Sequence, residues 1–162
     1  MKRFIAIICI ILMGILAFTG YYQFFSSKPK KQTIIAVFEN ERDSFVTIAD
    51  YLKGLSYSSC FIDSENGTFF AEFTYHEIGD PLVIGSIKRL WECGCSHITK
   101  DNSNNSVAFE LWSNNHELDC GMLTCIHEGE EAKVEYMTGI QETSSQNWYY
   151  YVEDYNKWRE NK

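Results

Sequence analysis

The stretch Cys60–Phe73, CFIDSENGTFFAEF, decides the fold class of this 162-residue chain. Two apolar and aromatic runs flank Asn66-Gly67, a dipeptide that strongly favours a two-residue type I′ turn. We therefore predict an antiparallel hairpin with strands near 60–65 and 68–75. Because side chains alternate between faces along a strand, one face should pack on the core. That face comprises Cys60, Ile62, Ser64, Phe69, Ala71 and Phe73.

Helical patterns flank the hairpin on both sides. Before it, an apolar stripe at helical spacing predicts an amphipathic helix at 36–54. After it, Asp80 suits the N-cap and Pro81 the first helical position, and a second apolar stripe runs to Gly94. The first stripe is Phe38, Phe45, Ile48, Ala49, Leu52 and Leu55; the second is Val83, Ile84, Ile87, Leu90 and Trp91.

Three strand-like segments follow the second helix, and two more approach the C-terminus. They are CSHIT (95–99), SVAFELW (106–112) and GMLTCIH (121–127), then segments at 135–143 and 147–152 joined by a turn at 144–147. The order helix, hairpin, helix, meander predicts an α+β fold. We expect a small domain of two helices packed on one face of an antiparallel sheet, preceded by an N-terminal transmembrane helix.

Two cysteine- and histidine-rich segments, WECGCSHI (91–98) and DCGMLTCIH (119–127), raise the question of a metal site. A turn centred near Ser103 would pair His97 with Phe109. Cys95 and His97 would then share one face, and Cys125 and His127 would lie on the other. Because a tetrahedral zinc site needs converging ligands, we predict no metal site.

The cysteines suggest a covalent link instead. Cys120 should return to the end of the sheet that holds Cys93 and Cys95, which leaves two alternatives: a disulfide from Cys120 to one of these two, or reduced cysteines. Cys60 faces the core and should act as a small hydrophobic residue. No spacing is typical of a nucleophile elbow, a P-loop or a dinucleotide site, and we predict no catalytic residue and no cofactor.

The C-terminal stretch NWYYYVEDYNKW leaves two alternatives open. Its aromatic residues dock onto the core, or they form an interaction surface of Trp148, Tyr150, Tyr155 and Trp158. The stretch resembles the ending of small membrane-anchored proteins of Gram-positive bacteria that carry a WYYY-x-x-DYN-x-W-like motif. The resemblance covers the region after Glu39. No activity is assigned to that group, so it implies no catalytic residue.

The N-terminal segment predicts the location of the protein. Phe4–Phe25 contains no charged residue, and 22 residues make about 33 Å of helix, enough to cross a hydrocarbon core of about 30 Å. We divide the chain into a membrane anchor at 1–27, a basic spacer at 28–35 and an acidic domain at 36–162. A cleaved signal peptide is the alternative for 1–27. We favour a single-pass protein with its domain on the extracytoplasmic side, where cysteine-rich domains are common.

Charge restricts the partners. The residues after Lys31 include nine basic and 22 acidic side chains, a net charge of 9 − 22 = −13. A nucleic-acid partner is excluded, because phosphate contacts need a basic surface.

Two functions then remain. The first is a non-enzymatic, membrane-tethered domain of immunity, accessory or sensory type that binds another protein through an acidic face. The second is a cell-surface enzyme or carbohydrate-binding module acting on envelope material. A concave pocket with perturbed carboxylates would favour the second, and a flat acidic surface the first.

Overall fold

The structure is a computed structural model. It describes residues 29–113, 118–127, 129–133 and 136–160. The predicted anchor at 1–27 lies outside these ranges. Among the described residues, no helix is both long and apolar enough to cross a membrane.

The described chain is α+β, as predicted. The helices are α1 (Lys31–Asn40), α2 (Arg42–Gly54), α3 (Pro81–Glu92) and α4 (Tyr155–Glu160). The strands are β1 (Ser59–Ile62), β2 (Thr68–Ala71), β3 (Thr74–Glu77), β4 (His97–Asp101), β5 (Ser106–Ser113), β6 (Leu118–Cys125), β7 (Met137–Glu142) and β8 (Trp148–Asp154). All eight strands form one antiparallel sheet in the order β3-β2-β1-β4-β5-β6-β8-β7.

The main core lies between one face of this sheet and helices α1, α2 and α3. Helix α1 packs on β6 and β8, α2 packs on β5, and α3 packs against α2. Phe38 and Phe45 meet Trp148 of β8 with ring centroids 4.9 and 5.9 Å apart. The predicted apolar stripes supply most of the buried helical residues, and the Asp80 carboxylate caps α3 by accepting from the Leu82 N–H at 2.8 Å.

The first predicted helix differs from the structure in extent. Helical structure begins at Lys31 rather than residue 36, and Glu41 separates α1 from α2 with φ −111°. Residues 31–35, which we assigned to the spacer, therefore belong to α1, where Ile34 is buried. The break turns the chain so that α1 reaches β8 while α2 lies over β5.

The hairpin at 60–73 confirms the predicted core face but corrects the predicted turn. Phe61 pairs with Phe70, so five residues separate the strands, and Gly67 packs on Ile84 of α3. The two-residue turn lies one strand later, at Glu72-Phe73, where both φ angles are positive, +49° and +67°. Consequently Phe73 is 95% exposed instead of facing the core.

The pairing of β4 with β5 corrects a second prediction. His97 pairs with Glu110 rather than Phe109, a shift of one residue. The Asp101 carboxylate accepts hydrogen bonds from Ser103 and Asn104 and so holds a four-residue turn at 102–105. A one-residue shift moves every side chain to the other face. Ile98, not His97, therefore lies on the core face.

The second face of the sheet, which carries Thr99, Ala108, Leu123 and Tyr149, is called the open face here. Helices α1 to α3 lie on the opposite side. Part of the open face is covered by the segment after β6, from which buried Ala132 packs on Leu123 and Tyr151. The remainder forms a cleft.

Candidate functional site

The cleft lies on the open face over β4, β5, β6 and β8 and has a volume of about 540 Å³. Polar and aromatic side chains line it, and none of the described lining residues is lysine or arginine. The lining includes Asp101, Glu110, Asp119 and Glu153, the tyrosines Tyr136, Tyr151 and Tyr155, and His97. A cleft of this composition favours cationic ligands.

Two carboxyl groups face each other at one end of the cleft. Asp119 on β6 and Glu153 on β8 are directly paired across the strands, a position where like charges repel. Both side chains are buried, with 3% and 9% of their surface exposed. The hydroxyl of Tyr155, the first residue of α4, lies between them, 2.8 Å from Asp119 Oδ2 and 3.0 Å from Glu153 Oε2. We call this group the Asp119–Tyr155–Glu153 bridge.

The bridge needs a second proton to satisfy both short contacts. A tyrosine hydroxyl has one hydrogen and can donate only one such bond. If Glu153 is protonated, it donates to the Tyr155 oxygen, and Tyr155 donates to Asp119. Burial raises the pKa of Glu153 to about 7, an effect to which the nearby Asp119 and Glu110 carboxylates add. Glu153 therefore takes up this proton as the pH falls through about 7.

Asp119 retains an unmet acceptor. Its Oδ1 is buried and has no hydrogen-bond partner in the described structure, an arrangement that destabilises a carboxylate by at least about 1–3 kcal/mol. Glu110, by contrast, accepts a hydrogen bond from Ser96 Oγ.

Gly121 and Tyr151 form the floor beside the bridge. They pair across β6 and β8, and a Cβ at position 121 would lie 3.1 Å from the Tyr151 ring and 1.8 Å from the Phe109 carbonyl oxygen. Only glycine fits here. A β-bulge at Glu110–Trp112 on β5 accompanies this close approach of the strands. Burial raises the pKa of Tyr151 well above its ordinary value, so its hydroxyl stays protonated.

The predicted interaction surface divides between the two faces. Trp148 and Tyr150 are buried in the main core, with 7% and 5% exposed, so these two follow the docking alternative and form no surface. Tyr155 lines the cleft. Trp158 lies on α4, and its side chain is outside the described part of the structure.

The structure also places the cysteines and histidines. Cys95 and Cys120 are buried on the core side, whereas His97 lines the cleft on the open face, which also carries Cys125. Our sequence argument against a shared metal site assumed that His97 and Cys125 lay on opposite faces, and that assumption was wrong. Within the described ranges, however, no three histidine, cysteine or acidic side chains are grouped to hold a metal.

Cys93, Cys95 and Cys120 are thiols in the structure, and the disulfide stays one of the two alternatives. Counting thiols in denatured, non-reduced protein tests it: one bridge leaves three of the five cysteines after Lys31 reactive, and it should include Cys120.

Sequence reasoning missed most of the cleft. Its main residues were not among the candidate site residues: Glu153, Asp119, Glu110, Tyr136 and Tyr151. One signal was available: Tyr149, Tyr151 and Glu153 alternate along β8, which places them on one face. The partner strand that buries Glu153 is not visible from that alternation.

Comparison with known proteins gives no match to any family model, curated protein or solved structure.

Proposed function

We propose that this protein is a membrane-tethered, non-enzymatic domain of immunity, accessory or sensory type, which binds a cationic segment of another protein on the extracytoplasmic side. The observation that carries the proposal is the cleft, an acidic cavity of about 540 Å³ whose described lining contains no lysine or arginine. The net charge of −13 after Lys31 would steer a basic segment toward it.

A concave pocket is the feature that we expected of an enzyme, but the geometry of the bridge argues against catalysis. Catalysis requires space for a reacting atom about 3 Å from both working groups. The Tyr155 hydroxyl fills the space between Asp119 and Glu153, and Asp119 Oδ1 is buried. While the Tyr155 hydroxyl holds this position, a substrate atom cannot lie between the two carboxyl groups, so the pair is better suited to recognising charge than to catalysis.

Aromatic residues beside the cleft favour a polypeptide over a sugar. Phe61 and Phe70 on the open face stack on each other with ring centroids 5.0 Å apart, and His97 lies 5.2 Å from Phe61. Because the Phe61 ring lies between Phe70 and His97, it offers less open face to a sugar. The three rings form an apolar strip that suits side chains next to a basic residue.

One observation favours the alternative of a carbohydrate-active enzyme. Glu153, with a pKa raised to about 7, could act as a general acid near neutral pH. Incubating the full chain with envelope polysaccharide and assaying new reducing ends tests this alternative. Turnover that disappears in Glu153→Gln would replace our proposal.

The main experiment compares charge variants of the full-length protein. Glu110→Gln with Asp119→Asn removes two of the four acidic side chains of the cleft, and Glu65→Gln with Glu77→Gln removes the same charge from exposed positions elsewhere. After cross-linking in the native cell and solubilisation of the membranes, a specific partner should co-purify with wild type and the control pair. The cleft pair of substitutions should reduce its recovery at least tenfold.

Equal recovery with both variant pairs would refute a role for the cleft in partner binding. Circular dichroism of each purified variant verifies that the fold is retained.

A further inference from the structure

The Asp119–Tyr155–Glu153 bridge has more acceptor oxygens than the described residues supply with donors. Two carboxyl groups share one hydroxyl, and Oδ1 of Asp119, in a side chain only 3% exposed, has no hydrogen-bond partner among the residues that the structure describes. A buried acceptor of this kind is normally satisfied. Asp119 lines the cleft, so a ligand donor that displaces the Tyr155 hydroxyl would reach its carboxylate.

The chemistry of the walls selects among cationic donors. No three suitable side chains are grouped for a metal within the described residues, so an organic cation fits better. Tyr136 and Tyr155 lie side by side, with ring centroids 4.7 Å apart, and arginine stacks on aromatic rings more readily than lysine does. A guanidinium also carries five N–H groups, enough for several carboxylate oxygens at once.

We propose that the bridge binds the guanidinium of an arginine side chain and releases one proton from Glu153 in the process. This proposal rests on the proposed function and names the residue that the cleft recognises. When arginine binds, it stays charged and the proton passes from the Glu153 carboxyl group to solvent. The Tyr155 hydroxyl is freed from its double contact. The bound state then pairs the guanidinium with two carboxylates.

The surroundings of Glu153 make it the group that loses the proton. The described titratable groups that face it come from β5, β6, β8, α4 and the turn just before β7: Glu110, Asp119, Tyr151, Tyr155 and Tyr136, with His97 of β4 farther along the cleft. Desolvation and the neighbouring carboxylates raise the pKa of Glu153 to about 7. An incoming positive charge opposes both effects and lowers that pKa.

The test uses full-length protein in detergent micelles and the peptide acetyl-Gly-Arg-Gly-amide. Matched peptides carry citrulline, which has arginine's shape without its charge, or lysine. Binding is followed by the ring resonances of labelled tyrosine, and the protonation of Glu153 by its carboxyl ¹³C shift. We expect binding about tenfold tighter at pH 8 than at pH 6, because one proton leaves a group whose pKa is about 7.

The variants separate a binding role from a structural one. Glu153→Gln should remove the pH dependence of arginine binding, whereas Glu65→Gln, which removes an exposed charge, should retain it. The citrulline peptide should bind at least tenfold more weakly than the arginine peptide, and the lysine peptide at least threefold more weakly. The comparison of wild type at two pH values requires no variant to fold.

Equal binding of the citrulline or lysine peptide, an affinity independent of pH, or no arginine binding would overturn the inference. Partner capture that still depends on the cleft would then leave the proposed function standing. If arginine binding is absent and partner recovery does not depend on the cleft, both proposals are refuted.

Discussion

At the scale of single residues, the cleft depends on two positions. No side chain fits at Gly121, and burial raises the pKa of Glu153 to about 7. Gly121 allows β5 and β6 to approach and leaves room for the Tyr151 ring. Glu153 is held opposite Asp119 by strand pairing, so it accommodates the repulsion by binding a proton. Both effects can be measured separately.

Gly121→Ala should lower the free energy of unfolding by about 1–3 kcal/mol or more, since the added Cβ would meet a backbone oxygen that cannot move freely. The midpoint of urea denaturation measures the loss. Gly139→Ala on β7 is the matched control, because its Cβ would meet nothing within 4 Å. Equal stability of the two variants would contradict the close approach seen at Gly121.

Glu153→Gln should change the pH dependence of stability. The pKa of Glu153 is about 7 in the folded protein against an ordinary value of 4.5. The folded state therefore binds more protons than the unfolded state between these pH values, and the wild type loses stability as pH rises through this window. Glutamine, which imitates the protonated acid, should gain on wild type by roughly 1–2 kcal/mol between pH 5 and pH 8, allowing for partial solvent screening.

Denaturation midpoints of wild type and Glu153→Gln, taken at intervals across this range, provide the test. A difference that stays constant with pH would show that Glu153 does not hold the extra proton.

At the scale of elements, turn chemistry located the loops but did not fix which of them is the tight turn. Asn66-Gly67 has the favoured sequence, yet it forms part of a five-residue connection, because Gly67 packs on α3 and its carbonyl accepts from the Ile78 N–H. The tight turn instead falls on Glu72-Phe73, two residue types that rarely adopt positive φ. This strain is stored in an exposed hairpin.

Replacing this turn by Glu72→Asn with Phe73→Gly should raise the free energy of unfolding by about 0.5–1 kcal/mol, because the new pair adopts positive φ with little strain. Phe73 is 95% exposed, so replacing its side chain removes few packing contacts. Urea denaturation at an unchanged slope measures the gain. The control pair Glu72→Gln with Phe73→Tyr keeps side chains at both positions and should be neutral. A loss of stability in the Asn-Gly variant would contradict the turn geometry.

At the scale of the whole molecule, the sequence predicts a division between a cationic, apolar N-terminal segment and an acidic domain. Helix α1 begins at Lys31, close behind the predicted anchor, and packs on β6 and β8 on the core side of the sheet. The cleft is on the opposite face, so the element that follows the anchor does not cover it. This arrangement is compatible with a tethered domain that presents its acidic face to a partner.

The full-length protein should remain in the membrane pellet after washes with high salt and with alkaline carbonate, because the uncharged run Phe4–Phe25 is long enough to span a bilayer. Immunoblotting of pellet and supernatant at full length is the measurement. Placing two lysines in the run, at Ile11 and Leu12, should release the protein. Full-length wild type in the supernatant would contradict the anchor.

The sequence by itself determined the α+β class, the core faces of the first hairpin apart from Phe73, the start of α3 at Asp80-Pro81 and the strand regions apart from β3. These features follow from hydrophobic periodicity, capping and turn residues, which act over a few neighbouring positions. Only the tertiary structure decided the register of His97 against Glu110, the place of β8 between β6 and β7, and hence the meeting of Asp119 with Glu153. A one-residue change in register alters local energies little but exchanges the two faces of a strand, so packing of the whole sheet selects it.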